Sequence, residues 1–152
     1  MVQINQANLY GHLSPEKLIE FETEFDINLP PEYRDFLLKY NGGNPSPSFF
    51  WVEPDLDGSE VLHFFGIHDG PIHLSIDTYL RRERYFPRSM LPIAADGIGN
   101  YICIGISVTN FGEVYFLDHD SHSFDDPDSM IAFTKLTDTF PGFLSALMEA
   151  PD

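Results

Sequence analysis

Leu29-Pro30-Pro31-Glu32-Tyr33-Arg34-Asp35-Phe36-Leu37-Leu38-Lys39-Tyr40-Asn41-Gly42-Gly43 is the stretch whose pattern says most about the fold. Tyr33, Phe36, Leu37 and Tyr40 fall at i, i+3, i+4 and i+7, one apolar stripe along a helix. Glu32 lies near the positive end of that helix and Lys39 near its negative end, as the macrodipole prefers. Asn41-Gly42-Gly43 supplies a left-handed stop. Upstream, Ser14-Pro15-Glu16 opens an earlier helix. The Ser14 hydroxyl can accept from a free backbone N–H, and Pro15 fits the first helical position. Leu18, Ile19, Phe21 and Phe25 form its apolar stripe, while Glu16, Glu20 and Glu24 repeat on a wet face. The pattern predicts two short antiparallel helices joined at the Leu29-Pro30-Pro31 corner.

Downstream the period shortens. Residues 44–48 read as a loop, 49–52 as a strand, 53–58 as a turn and 61–65 as a second strand closed by Gly66. Residues 77–85 read as a helix capped by Ser75 or Asp77. The apolar runs 91–95 and 101–106 flank Asp96-Gly97-Ile98-Gly99-Asn100, which makes a hairpin. A strand over 113–117 and an acidic loop over 118–128 follow. An edge strand over 130–136 comes next, then a last helix capped by Asp138 and carrying Phe140, Phe143, Leu144 and Leu147. Helices at both ends with hairpin-linked strands between them predict an α+β fold. It is a single domain over 1–152: a mostly antiparallel central sheet, two N-terminal helices, a middle helix and a C-terminal helix.

The chain has 152 residues, one domain's worth, of which 43% are hydrophobic and 14% aromatic. So many rings argue for a packed core despite 24 acidic against 8 basic residues and a net charge of −16. That sign repels nucleic acid and anionic membranes and attracts basic partners. The excess is uneven: residues 16–35 carry −5, 53–69 carry −5 and 113–138 carry −6, whereas 81–88, with Arg81, Arg82, Arg84 and Arg88, carry +3. The N-terminus lacks the basic and apolar regions of a secretory signal, and no run reaches the ~20 residues of a membrane span, so the cytoplasm is the expected compartment.

Catalytic motifs are missing: there is no G-x-S-x-G, P-loop, H-E-x-x-H or Cys-x-x-Cys. The lone cysteine, Cys103, sits in an apolar strand and reads as a buried, inert thiol. Asp118-His119-Asp120-Ser121-His122 has ligand types close together. Strand alternation sends neighbours to opposite sides, so no convergent metal site is expected there. His63, His68 and His73 match neither a helix face nor a strand face, and Asp55-Leu56-Asp57-Gly58 lacks calcium-loop spacing. No catalytic residue, cofactor or metal is therefore assigned. In Phe49-Phe50-Trp51, alternation sends Phe50 one way and Phe49 and Trp51 the other; either the strand is covered on both sides, or Trp51 is an aromatic anchor for a partner.

The segment 29–43 resembles the signature of the SMI1/KNR4 family of the SUKH superfamily, whose second helix begins with Leu-Pro and a Tyr and ends in Asn-Gly-Gly. Residues 91–104 are similar to its central hairpin and Gly112-Glu113-Val114-Tyr115-Phe116-Leu117-Asp118-His119 to the strand after it. Phe140, Phe143 and Leu144 match its closing helix. The likeness runs from about residue 14 to 148. It implies a non-enzymatic binding module with no catalytic residues to carry over, in which Pro30, Tyr33, Gly42 and Gly43 are architectural. Bacterial members are regarded as immunity proteins that neutralise a toxin domain, often a nuclease; fungal relatives are regulators or scaffolds inside longer chains.

Charge and resemblance meet in one expectation. Nucleases are cationic because they hold phosphates, and a chain of net −16 is steered onto such a surface. The expected function is that of an immunity protein, binding a cognate basic toxin by occlusion as a monomer or weak homodimer. Glu53, Asp55, Asp57, Asp118, Asp120, Asp125, Asp126 and Asp128 are the expected charged contacts, with Trp51 as anchor. A regulatory scaffold for an endogenous partner is the second reading. An enzyme with a deep pocket of convergent His and carboxylate groups is the third.

Overall fold

The structure, a computed structural model, describes residues 2–81, 86–121, 126 and 129–152. Helix α1 (Pro15–Phe25) starts as its sequence demands, with the Ser14 hydroxyl accepting from the Lys17 N–H at 3.2 Å. Leu18 and Phe21 are buried, but Ile19 is 56% exposed and leaves the expected stripe. At 3.6 residues per turn, Ile19 is rotated by about 100° from Leu18 and away from the core-facing line. Helix α2 (Pro31–Tyr40) buries Tyr33, Phe36 and Leu37. Glu22 of α1 fixes the corner between them: one carboxylate oxygen accepts from the Leu29 N–H at 2.9 Å, the other from Arg34 at 3.0–3.1 Å.

Asn41 ends α2 with φ 42°. Its buried side chain donates to the carbonyls of Gly11 and Ile67 (both 3.0 Å) and accepts from the Ile67 N–H at 2.8 Å. The helix stop therefore also ties down two distant loops. Gly66 lies against the Asn41 backbone so closely that a Cβ there would sit 2.4 Å from the carbonyl oxygen.

The body of the domain is a five-stranded antiparallel meander, β5 (His63–Phe64), β6 (Met90–Ala95), β7 (Tyr101–Gly105), β8 (Val114–Leu117) and β9 (Phe133–Thr137), paired in that order. Alternation decides its faces. Ile102, Ile104, Val114 and Phe116 join Leu18, Tyr33, Leu37 and Phe143 in the main core. Cys103, Leu117, Met90 and Ala132 form a smaller cluster with Tyr101, Tyr115, Phe86 and Phe133. Cys103 is fully buried, and that burial pushes its thiol far above the ordinary range. Helix α3 (Ile76–Leu80) lays Tyr79 flat on Phe65, ring centroids 4.3 Å apart. Helix α4 (Phe140–Ala146) brings Phe140 edge-on to Tyr33 and Phe36 at 5.2 and 5.0 Å.

Several local expectations shift. Residues 44–46, read as loop, form β2 (Asn44–Ser46) and pair with β1 (Gln3–Asn5). Asn44-Pro45-Ser46 carries no periodic signal, and its partner strand lies some 40 residues away in the chain. The turn expected over 53–58 is shorter, because β3 (Phe49–Glu53) runs longer and β4 (Asp57–Glu60) begins inside it. The strand expected over 61–65 shrinks to β5, and the edge strand moves to β9. The middle helix spans only Ile76–Leu80; residues 82–85 of its expected course lie outside the described residues. Ser75 holds its N-terminal position with its hydroxyl on Asp77 and the His68 carbonyl. Asp138 does not cap α4. Thr139 does, accepting from the Gly142 N–H at 3.0 Å, while Asp138 pairs with Lys135 at 2.6 Å.

Candidate functional site

The two expected acidic loops are tied to one structural element, the turn between β6 and β7. Asp96, 9% exposed, opens that turn. Its carboxylate accepts from the backbone N–H groups of Ile98 and Asn100, both at 3.0 Å, and from the Asn100 side-chain amide at 2.8 Å. It also accepts from the Ser59 hydroxyl of β4 at 2.9 Å. Asn100 continues the chain of bonds: its side-chain oxygen accepts from the His119 N–H at 3.0 Å and from the ring nitrogen Nδ1 at 2.7 Å. Ser59 stands two residues after Asp57, and His119 stands between Asp118 and Asp120. A buried Asp–Asn clasp thus anchors the bases of both acidic loops at the same end of the sheet.

Each expected contact residue has a defined place. Phe50 is buried at 2% exposure, while Phe49 and Trp51 share the outer face of β3, ring centroids 4.9 Å apart and edge-on. Trp51 is half-buried there and faces Gly58 across the hairpin. Glu53 and Asp57 are exposed partners at the end of the β3–β4 pair, and exposed Asp55 takes a left-handed φ of 62° in the connecting turn. Asp118 is half-buried and accepts from the Asp120 N–H at 3.0 Å and the Ser121 hydroxyl at 3.1 Å. Asp120 and Asp126 are exposed. Asp125 and Asp128 lie outside the described residues.

The ion-paired Lys and Arg side chains among the described residues lie elsewhere. Among the described residues, Arg34 pairs with Glu22, Arg81 with Glu24 at 2.5 Å and Asp77 at 3.5 Å, and Lys135 with Glu113 and Asp138. None of these carboxylates belongs to 53–57 or 118–120. Arg82 and Arg84 lie outside the described residues. Arg81, which also sits over Phe25 at 5.0 Å, serves as a tie between α3 and α1.

The metal reading changes in one respect. Asp118, His119 and Asp120 do converge, with one ligand atom of each within 4.8 Å of the others. Strand β8 ends at Leu117, so the pleat that would separate them no longer applies. The group could hold a small cation only by giving up bonds it makes to itself: His119 Nε2 faces Asp120 at 3.1 Å, and the Asp118 carboxylate is bonded within its own turn.

A recess of about 50 Å³ lies beside the α2 stop, lined by Tyr10, Asn41, Gly43, His63 and His68 among others. It has room for a few waters and no carboxylate in its wall, well short of the ~300 Å³ of a small-molecule site. Burial holds both imidazoles below their ordinary range, and His73 beside His63 adds to the effect there.

Sequence reasoning missed Asp96, Asn100, Ser59 and His119. The signal that could have found the first two is the pair of Asx residues bracketing Gly-Ile-Gly, since such side chains bond backbone N–H groups two to four residues on. No sequence signal pairs Ser59 with Asp96.

Comparison with known proteins places these features in a family. The SPbeta prophage-derived uncharacterized protein YokK of Bacillus subtilis (strain 168) is 30% identical over 156 residues, which cover 90% of this chain and 75% of that protein. The model of the SMI1 / KNR4 family (SUKH-1) matches residues 12–146, from before α1 through α4. This chain is a member of the SMI1/KNR4 (SUKH-1) family.

Proposed function

We propose that this chain is a non-enzymatic binding module that neutralises a cognate basic toxin, of the nuclease type, by covering its cationic surface. The observation that carries the reading is that, among the described residues, Glu53, Asp55, Asp57, Asp118 and Asp120 pair with no Lys or Arg, while one clasp holds the bases of both loops. Glu53, Asp55, Asp57, Asp118, Asp120 and Asp126, with Asp125 and Asp128, supply the attraction. Trp51 supplies an aromatic contact on the neighbouring face. Carboxylates held in water by a folded scaffold accelerate encounter with a cationic partner and occupy the places of phosphates. Family membership supports protein binding, and the prophage origin of YokK favours a partner encoded on mobile DNA. The chain acts as a monomer or weak homodimer in the cytoplasm. Among the described residues no helix is long and apolar enough to cross a membrane.

The test is co-expression with the product of the adjacent gene, scored by growth rescue and by isolation of a complex. A combined variant, Glu53→Gln, Asp55→Asn, Asp57→Asn and Asp120→Asn, is expected to lower the association rate about tenfold or more at low salt and to flatten its salt dependence. A salt slope equal to that of the unaltered protein would refute the electrostatic mechanism.

A further inference from the structure

The turn that anchors the acidic loops carries an apolar apex with no role in the fold. Ile98 is 71% exposed and Leu62 50% exposed, and neither joins either apolar cluster. They are neighbours: Leu62 packs against Gly97, where a Cβ would lie 3.1 Å from Leu62 Cδ2. On the other side the His119 ring closes on Gly99 in the same way, at 3.0–3.2 Å. Gly97 and Gly99 both have positive φ, +86° and +102°, so the turn needs glycine at those two places. It needs no β-branched, water-exposed residue between them. Polar turn residues would serve the hairpin better.

Resting on the function proposed above, we infer that Ile98 and Leu62 form a rigid apolar plug that enters a hollow in the basic partner protein. The four hydrogen bonds accepted by Asp96 fix the turn before any partner arrives, so little loop entropy is lost on docking. The surrounding charge names the occupant. Exposed Glu60 stands two residues before Leu62, and Asp118 and Asp120 flank His119, none of them paired with a Lys or Arg among the described residues. An apolar apex ringed by carboxylates that no cationic Lys or Arg neutralises among the described residues complements an apolar recess ringed by Lys and Arg. A second copy of this chain is the wrong occupant, because it would bring its own carboxylates against these and carries −16 itself.

The test measures association and dissociation rates with the product of the adjacent gene for the unaltered chain, for Ile98→Ala with Leu62→Ala, and for the four-carboxylate variant. The apolar double variant is expected to raise the dissociation rate about tenfold or more while the association rate and its salt slope stay as they were. Restoring size with Ile98→Leu, Leu62 kept, should recover slow dissociation. Because both side chains lie outside the core, the thermal midpoint should hold, which separates lost docking from lost folding. An unchanged dissociation rate in the double variant overturns the plug, and if the carboxylate variant still slows association, the proposed function stands without it. Absence of any complex with the unaltered chain overturns both. Self-association by sedimentation that Ile98→Asp abolishes would make the occupant a second copy and overturn the inference as stated.

Discussion

Asn100 and His119 share a single oxygen: the Asn100 side-chain carbonyl accepts both the backbone N–H of His119, at 3.0 Å, and its ring Nδ1, at 2.7 Å. Asn100 can present that oxygen because its amide nitrogen is already committed to the Asp96 carboxylate at 2.8 Å. The orientation of the amide, and with it the proton on Nδ1, follows from the acceptor-only chemistry of a carboxylate. The start of the second acidic loop is therefore positioned by a residue of the β6–β7 turn.

Replacing Asp96 tests that clasp. Asp96→Ala strands several donors in a nearly buried site, and an expected loss of about 2–3 kcal/mol lowers the thermal midpoint by roughly 4–12 °C. Amide exchange at Ile98, Asn100 and His119 should speed up more than exchange within β7. A variant that loses stability with no local change at these amides would contradict the role given to Asp96.

Asn41 joins three segments, so its removal should cost more than the loss of a helix stop. Asn41→Ala is expected to cost about 3 kcal/mol, from three broken hydrogen bonds and a left-handed residue with a Cβ. Asn41→Gly keeps the backbone geometry and loses only the bonds, so denaturant midpoints should rank the natural chain first, Gly second and Ala last. Equal midpoints for the Gly variant and the natural chain would show that the side-chain ties to Gly11 and Ile67 contribute nothing.

Tyr33 is nearly inaccessible, and among the described residues its hydroxyl has no hydrogen-bond partner. That burial drives the phenol's pKa far above its usual range. Tyr33→Phe removes an unpaired polar atom from the main core while keeping the ring against Phe36 and Phe140. The expected result is a gain of about 1 kcal/mol, seen as a rise of roughly 2–4 °C in thermal midpoint. A fall of similar size would mean that the hydroxyl is satisfied in solution.

The half-buried imidazoles predict a pH dependence of known sign. His63 is held below its ordinary value by burial and then by His73, and His68 by burial. In that case the unfolded chain binds more protons than the folded one as pH falls through the unfolded value near ~6.5. Stability is then full above that value and is lost as the solution is acidified below it. The lowered Glu113 and Asp138 act in the same direction at more acid pH, since their pairing with Lys135 favours the charged forms. Thermal midpoints between pH 8 and 5 should fall toward acid, and His63→Gln should flatten the upper part of that slope. A flat profile for the natural chain would exclude this linkage.

Charge, composition and the periodic helices are properties of the sequence alone. The spacing of Tyr33, Phe36, Leu37 and Tyr40, the Ser14-Pro15 start and the Asn41-Gly42-Gly43 stop act within a few residues of one another, so local chemistry suffices to place α1 and α2. The β6–β7 hairpin follows from two apolar runs around a glycine turn in the same way. Pairings across long stretches of chain were decided elsewhere. β2 finds β1, Thr139 displaces Asp138 as the α4 cap, and Asp118, His119 and Asp120 converge because β8 stops one residue before them. Above all, Ser59, Asp96, Asn100 and His119 meet only when packing brings strand β4, the β6–β7 turn and the turn after β8 together. A hydrogen bond needs its partners within about 3 Å, and only the folded core sets that distance for residues tens of positions apart.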